Sequence, residues 1–521
     1  MRLVCASVVF VLAAAACTFE NRGRPAGGTG GDVGGDGTGG RMIFMPRIDA
    51  GPMGTPCVNL QCQQTTCTRG DCKVPACTGG ATTTVSGTVY TPAGNVPLYD
   101  VQVFVPNVDL PPVSEGASCL RCDGAVGSPV SKATTDAQGR FVLPDVPVGT
   151  DIPLVIQTGK WRRQTKIPNV AACTETPLDA ELTRLPRTKD EGNIPKIALV
   201  TGGLDAMECL LRKIGVADTE FTPEADPGRI NLFAGGTNNG TPITRNMMND
   251  TNSAGTDRYD GALNVGATFT NAQTWWESTD NLNRYDMVLL SCEGLTFGAG
   301  NMNNQHMNKS AAALTAMQAY ADAGGRVFAS HWHNYWIERG PAPWPTVATF
   351  NHRGDPIDGM LTALIDTNHD KGMALQEWLQ IVGATTTPGQ LPIIGAKLTV
   401  SAVNTGMSQR WAYHDMVMYR PGGGGGNIMT GPSVQYFSFL TPAGSAANMA
   451  CGKVVFSDMH VSAGSGGDMD DISRTGATTG DPATTGYPFP TGCRTTQLSP
   501  QEKALLFIIF DLGACLPLII G

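Results

Sequence analysis

The sequence predicts a multidomain chain, a β-sandwich followed by a doubly wound α/β domain. Three observations predict it. With 521 residues, the chain exceeds what one hydrophobic core usually holds. Residues 81–185 alternate apolar and polar positions between closely spaced turn residues. Residues 194–521 alternate short apolar strands with helical patterns. Gly 64 and Pro 35 together supply about a fifth of the chain, which implies long loops and turns around any core. Lys+Arg 36 against Asp+Glu 45 gives a net charge of -9 with no basic run, which excludes nucleic acid as an expected partner.

The first segment, MRLVCASVVFVLAAAAC, places one Arg before a short apolar run, the shape of a secretory signal over residues 1–17. Ala14, Ala15 and Ala16 before Cys17 resemble the lipobox of bacterial lipoproteins, with Ala14 where that family usually has Leu. The resemblance implies lipidation of Cys17 and a membrane partner through an N-terminal lipid anchor; Thr18 in place of Asp implies the outer membrane or cell surface. Residues 18–56 are Gly-rich, have little to bury, and are expected to form a disordered tether. Of 15 Cys, Cys5 leaves with the signal and Cys17 takes lipid, so 15 − 2 = 13 remain. In an exported chain disulfides are the default, and an odd number leaves at least one thiol outside intramolecular pairs.

Cys57, Cys62, Cys67, Cys72 and Cys77 recur every fifth residue in a Cys-rich segment, 57–80. They read as a small disulfide knot or as cysteines borrowed by the next domain, with zinc as the sharper alternative. The strands follow: TTTVSGTVYTP, YDVQVFVP, GRFVLPDVP, IPLVIQTGKWRRQTKI and LDAELTR. In TTDAQGRFVL a tight turn from Asp136 to Gly139, with Gly139 left-handed, sends Phe141 and Leu143 to one face and Arg140 and Val142 to the other. VSGTVYTPAGNVPLYDVQVFV with TTDAQGRFVLPDVPVG resembles the carboxypeptidase regulatory-like, transthyretin-like β-sandwich family over about a hundred residues. The resemblance implies a noncatalytic structural or binding module. Cys119 and Cys122 lie in an inserted loop, as a staple that could involve Cys173 or, alternatively, as a redox or metal CxxC.

After the polar link LPRTKDEGNIP, IALVT and GGLDAMECLLRKIG read as strand, turn and helix. YDMVLLSCEG, RVFASHWH and KVVFSDMHV read as further strands, and NKSAAALTAMQAYADAGG as a helix. Loops are expected at about 222–284 and 334–450, the latter adding KLTVSAVN, QRWAYHDM and VQYFSFLT as antiparallel edge strands joined through Gly422–Gly426. Ser499, Pro500 and Glu502 form a capping-box start for a buried helix ending near Gly513. Asp511 and Pro517 argue against reading this apolar stretch as a membrane span.

In open α/β sheets, ligands gather at the carboxyl ends of strands. Those ends carry Thr201, Gly202, Gly203 and Asp205; Cys292, Glu293 and Gly294; Ser330, His331 and His333; Asp458 and His460. Side chains two apart on a strand share a face, so His331 with His333, and Asp458 with His460, form a candidate zinc or acid–base set. YDMVLLSCEG, AGGRVFASHWH and VVFSDMHVS resemble the class I glutamine amidotransferase-like superfold, flavodoxin-like in architecture, and more closely its ThuA-like branch. The amidotransferases place a nucleophilic Cys after the strand matching RVFAS. Here Ser330, His331 and Trp332 stand there without flanking Gly, so the resemblance implies no amidotransferase activity. Cys292 reads as a disulfide or buried thiol rather than a nucleophile, and Ser330/His331/Asp458 lacks the GxSxG elbow of a hydrolase triad.

Gly202, Gly203, Asp205, Glu293, Trp332 and Trp336 are the candidate ligand-binding residues. Trp275, Trp276, Trp332, Trp336 and Trp344 could form a platform for a glycan or peptide, or pin long loops, which is favoured. Asp468, Asp470 and Asp471 could hold calcium but lack EF-hand spacing, so a solvated loop is preferred. Cys451 begins a strand and Cys515 ends the following helix, so the two are expected to bridge. No cofactor is expected, zinc and calcium being the alternatives. The functional expectation is a cell-envelope binding or scaffolding protein without conventional catalysis; the alternative is a metal-assisted or acid–base hydrolase of a carbohydrate or other envelope substrate.

Overall fold

In the computed structural model, a three-stranded and a five-stranded sheet share a core with one 11-stranded mixed sheet, and two further pairs of strands stand outside these sheets. The structure describes residues 57–516 except 67–71, 123–125, 203–204, 206, 236, 239–240, 243–268, 293–308, 355, 422–425 and 462–497. The expectations for the signal and Cys17, the tether, Cys67, Gly203, Glu293, Gly294, Gly422–Gly425 and the acidic loop at Asp468 lie outside the described residues.

The sandwich-like part pairs a three-stranded sheet (Arg140–Leu143, Thr84–Thr88, Glu175–Pro177) with a five-stranded one. The latter runs Ser131–Thr134, Gln102–Val105, Gly149–Thr158, Trp161–Val170, Gly192–Asn193. The hairpin forms as its sequence dictates. Gly139 has φ +72, Asp136 Oδ1 accepts from Gln138 N at 2.8 Å and Arg140 N at 2.9 Å, and Phe141 and Leu143 point inward. A Cβ at Gly139 would meet Pro97 Cβ at 2.8 Å, so both backbone conformation and packing demand glycine. LDAELTR does not form the expected strand: Asp179 accepts from Leu182 N at 3.0 Å and caps a short helix, Ala180–Thr183.

The large sheet begins with six parallel strands in the order Phe221–Pro223, Ile230–Ala234, Ile197–Val200, Met287–Leu290, Arg326–Ser330, Gly452–Ser457. Both faces of its central strands are buried, which is why they read as unbroken apolar runs. Ile197, Leu199, Met287, Leu289, Phe328 and Val455 enter one core. Ala198, Val200, Val288, Leu290, Val327, Ala329, Val454 and Phe456 enter the other. Helix Ala311–Asp322 covers the second face, while Met207–Lys213, Asp370–Ile381 and Pro500–Gly513 cover the first.

Beyond Gly452–Ser457 the sheet turns antiparallel through Met429–Thr441, Ser408–Tyr419, Met360–Ile365 and Gln390–Ile394. Within 334–450, QRWAYHDM and VQYFSFLT form the expected antiparallel strands, while Met360–Ile365, Gln390–Ile394 and helix Asp370–Ile381 arise where loop is expected. The short connection from Thr441 to Gly452 cannot make a parallel crossover, so the pairing there is antiparallel. KLTVSAVN stands apart from the large sheet; its Val400–Val403 strand pairs with Ala348–Phe350.

The sandwich and large sheet pack as one unit, Thr55–Gly521, across a continuous core. Tyr99 stacks on Phe507 with ring centroids 5.5 Å apart, and Trp378 Nε1 donates to Pro97 O at 2.8 Å. Helix Pro500–Gly513, with its capping box formed, is thus buried between sheet and sandwich, which explains its all-round apolar character. Asp511 accepts from Lys371 at 2.5 Å and from Lys453, so its charge is paired inside. Among the described residues, no helix is long and apolar enough to cross a membrane.

The disulfides reinforce this junction. Cys451 and Cys515 do not bridge each other; each takes one cysteine of the inserted loop, as Cys119–Cys451 and Cys122–Cys515. The loop runs between them, with Cys122 N donating to Leu516 O at 3.0 Å and Leu516 N to Leu120 O at 2.9 Å, which puts a loop thiol against each partner. Cys173 pairs instead with Cys77, and Cys57 pairs with Cys62, so the Cys-rich segment is both a local staple and a tie to the sandwich.

Candidate metal centre

The carboxyl ends of the parallel strands are drawn together by Asp205, which is fully buried. Its Oδ2 accepts from Cys292 N at 3.0 Å and from the Ser330 hydroxyl; its Oδ1 accepts from Val461 N at 2.8 Å. One carboxylate therefore fixes the backbone after Met287–Leu290, the end of Arg326–Ser330 and the segment after Gly452–Ser457. Gly202 belongs to the same knot. A Cβ there would fall 2.1 Å from Cys292 O and 2.7 Å from Ser291 O, so glycine lets two strand ends approach. Asp205 and Gly202, expected as ligand contacts, hold the frame instead.

Held by that frame, Cys292, His331 and His460 converge. One donor atom from each lies within 4.8 Å of the others, and all three residues are buried. Cys292 Sγ is 3.5 Å from His331 Nδ1, and the two imidazoles sit with centroids 5.3 Å apart at 65°. His331 has φ +32, a conformation that a non-glycine residue adopts at a cost; it turns the ring back toward Cys292 as the strand ends. Trp332, half-buried, lies against His331 at 4.6 Å.

The expected four-residue set is not the one that assembles. His333 turns elsewhere, because the chain enters a 3-10 turn, His331–Asn334, directly after Ser330. Three residues per turn put positions two apart on different sides, which undoes the strand-based pairing. His333 Nε2 donates to Ser291 O at 2.9 Å and its Nδ1 accepts from Trp336 Nε1 at 3.0 Å, so both nitrogens are committed. Asp458 likewise parts from His460: Ser457 Oγ bonds the main chain of Met459 at both its N and its O, and the local turn ends the strand. Asp458 Oδ2 accepts from Thr399 N at 2.8 Å. Ser330 donates to Asp205 rather than to His331, so no Ser330/His331/Asp458 triad forms.

Trp275, Trp276, Trp336 and Trp344 are fully buried and pack the second core, so they pin loops and offer no open aromatic platform. Cys292, read from the sequence as a disulfide or buried thiol, is a buried thiol and also the third member of this cluster. Two signals pointed to it: the odd cysteine number and its place at a strand end between Asp205 and the His pair.

Asp458 carries a pH prediction. Burial pushes its carboxyl up to about 7, and the Thr399 contacts oppose this only in part. An acid whose folded value is raised stabilises the fold fully below its unfolded value, and that contribution disappears as pH rises through the folded value. Stability should therefore fall between about pH 4 and pH 7, by about 3–4 kcal/mol from this group alone. Asp458→Asn should flatten that slope in urea titrations; an unchanged slope would show that Asp458 is not its source.

No family model matches the chain, and no curated protein is significantly similar to it. Among solved structures, a ThuA-like protein from Bacteroides uniformis aligns over 54% of this chain and 90% of that one, with 10% identity and a TM-score of 0.25. A type II cohesin–X-dockerin complex from Acetivibrio cellulolyticus aligns over 28% of this chain and 78% of that one, with 19% identity and a TM-score of 0.13.

Proposed function

We propose that this is an exported envelope protein whose α/β body binds one transition-metal ion, zinc by preference, through Cys292, His331 and His460. The observation that carries the reading is the convergence of one thiol and two imidazoles within 4.8 Å. Tetrahedral zinc, with Zn–S about 2.3 Å and Zn–N about 2.0–2.1 Å, needs donors about 3.5 Å apart, so a small closure of the three side chains suffices. Neither calcium nor magnesium suits this donor set, since both take oxygen ligands. Three protein donors leave the fourth position for water or substrate, the pattern of a catalytic rather than a closed structural site. Metal-assisted hydrolysis of an envelope substrate is thus the reaction class that the donor set suits.

Export is supported by the disulfides, and a lipid anchor at Cys17 by the leader sequence. The transthyretin-like and ThuA-like assignments of the two parts rest on the sequence motifs together with the sheet order. A second reading, binding or scaffolding without catalysis, is favoured by the near-complete burial of all three donors, which restricts access of a substrate to the ion.

Zinc-loaded protein, freed of loose metal by gel filtration, should hold about one ion per chain. Cys292→Ser and His460→Ala should each lose it while keeping the native melting transition. Metal retained at full stoichiometry in both variants would overturn the assignment. In cobalt-substituted protein, a visible spectrum that shifts with added acetohydroxamate supports the open position and hydrolysis, whereas an unchanged spectrum supports the noncatalytic reading.

A further inference from the structure

Away from the metal centre, Cys119, Leu120, Arg121, Cys122 and Val126 of the inserted loop lie over a cavity of about 610 Å³ on the outer face of the five-stranded sheet. Phe104 lies on its floor, with Lys132, Thr134 and Gln157 from neighbouring strands of that sheet around it. The roof is held in place. Both loop cysteines are bridged to distant chain segments, and Arg121 donates to Ala447 O at 3.0 Å and Asn448 O at 2.7 Å. A cavity of this size, fixed before any ligand arrives, falls within the range of small-molecule sites, and preorganisation lowers the entropic cost of binding.

The lining has a definite chemistry. Among the described residues, it includes the cations Lys132 and Arg121 and no Asp or Glu. Lys132 is exposed and has no acidic partner within ion-pair distance among the described residues. Gln157 donates through Nε2 to Gly159 O at 2.9 Å, while its Oε1 is buried without a hydrogen-bond donor. A buried acceptor left unpaired is costly, so a ligand that supplies a donor there gains more than an exposed contact would give.

We infer that this cavity binds a small amphipathic carboxylate bearing an amide or hydroxyl hydrogen, its anionic end at Lys132, its donor at Gln157 Oε1 and its apolar part against Phe104. The class is that of N-acylated amino acids. The metal centre plays no part, so this inference stands or falls apart from the proposed function.

N-decanoylglycine, kept below its micelle concentration, serves as the probe in isothermal titration calorimetry with the full chain. Saturable one-to-one binding is expected, weakened at least about tenfold by Lys132→Glu and abolished by Thr134→Trp, which fills the cavity from an exposed strand position. N-decanoylglycine amide, which lacks the charge, should also bind about tenfold less tightly. Absence of saturable binding at millimolar probe, or equal affinity in both variants, would overturn the inference. Far-ultraviolet circular dichroism confirms that each variant is folded.

Discussion

Asp205→Ala will lower stability by about 3–6 kcal/mol and abolish metal binding together. The substitution strips three hydrogen bonds from a fully buried site and leaves Cys292 N, Val461 N and the Ser330 hydroxyl unpaired. Each buried group left without its partner costs about 1–3 kcal/mol. The functional loss comes from position: Cys292, His331 and His460 sit one residue beyond Ser291, Ser330 and Met459, and the carboxylate ties all three segments. Asp205→Asn should fall in between, because its amide keeps one acceptor but turns a donor toward a backbone N–H or the serine hydroxyl. Urea midpoints and metal content measured on the same preparations check both halves. A variant that lost stability but kept stoichiometric metal would show that Asp205 supports the fold without placing the donors.

Asp286→Ala will be destabilising by about 3–5 kcal/mol, whereas replacing Asp286 and Lys160 together by Leu and Met will recover most of that loss. Lys160 comes from the sandwich and Asp286 from the start of a central strand, joined at 2.6 Å with both side chains almost fully buried. Asp286 Oδ2 also accepts from Lys196 N at 2.6 Å, and Lys160 donates to Gly116 O at 2.6 Å. Burial pushes the Asp286 carboxyl upward despite the ammonium beside it, so desolvation outweighs the attraction. Such a pair contributes little net stability yet is costly to break, because the remaining charge stays buried and unpaired. Equal destabilisation in the single and double variants would mean that the pair itself, rather than the orphaned charge, supports the junction.

Much of the fold was legible because its determinants are local. Asp136 and Gly139 encode their hairpin, Ser499 to Glu502 encode a helix start, and the unbroken apolar runs at Ile197 and Met287 encode strands buried on two faces. Long-range determinants were not legible in the same way. The cysteine pairing depends on the inserted loop lying across a helix end, and Cys119 and Cys451 are 332 residues apart. In 334–450, QRWAYHDM and VQYFSFLT are legible as strands, whereas Met360–Ile365 and Gln390–Ile394 are short and find their partners only across a helix and a loop. At the site, His331 and His460 are legible as strand-end imidazoles, but their grouping with Cys292 is not. Period-two alternation holds only as far as Ser330 and Ser457, where the chain turns, so His333 and Asp458 do not join the residues beside which alternation would place them.

Cys292, His331 and His460 are proposed to bind one metal ion together. X-ray absorption spectroscopy of zinc-loaded protein tests it most directly, since the scattering shell reports the donors themselves. The expected shell holds one sulfur at about 2.3 Å and two imidazole nitrogens at about 2.0–2.1 Å, with one further light atom. A shell of nitrogen and oxygen alone, or a sulfur signal that persists in Cys292→Ser, would contradict it.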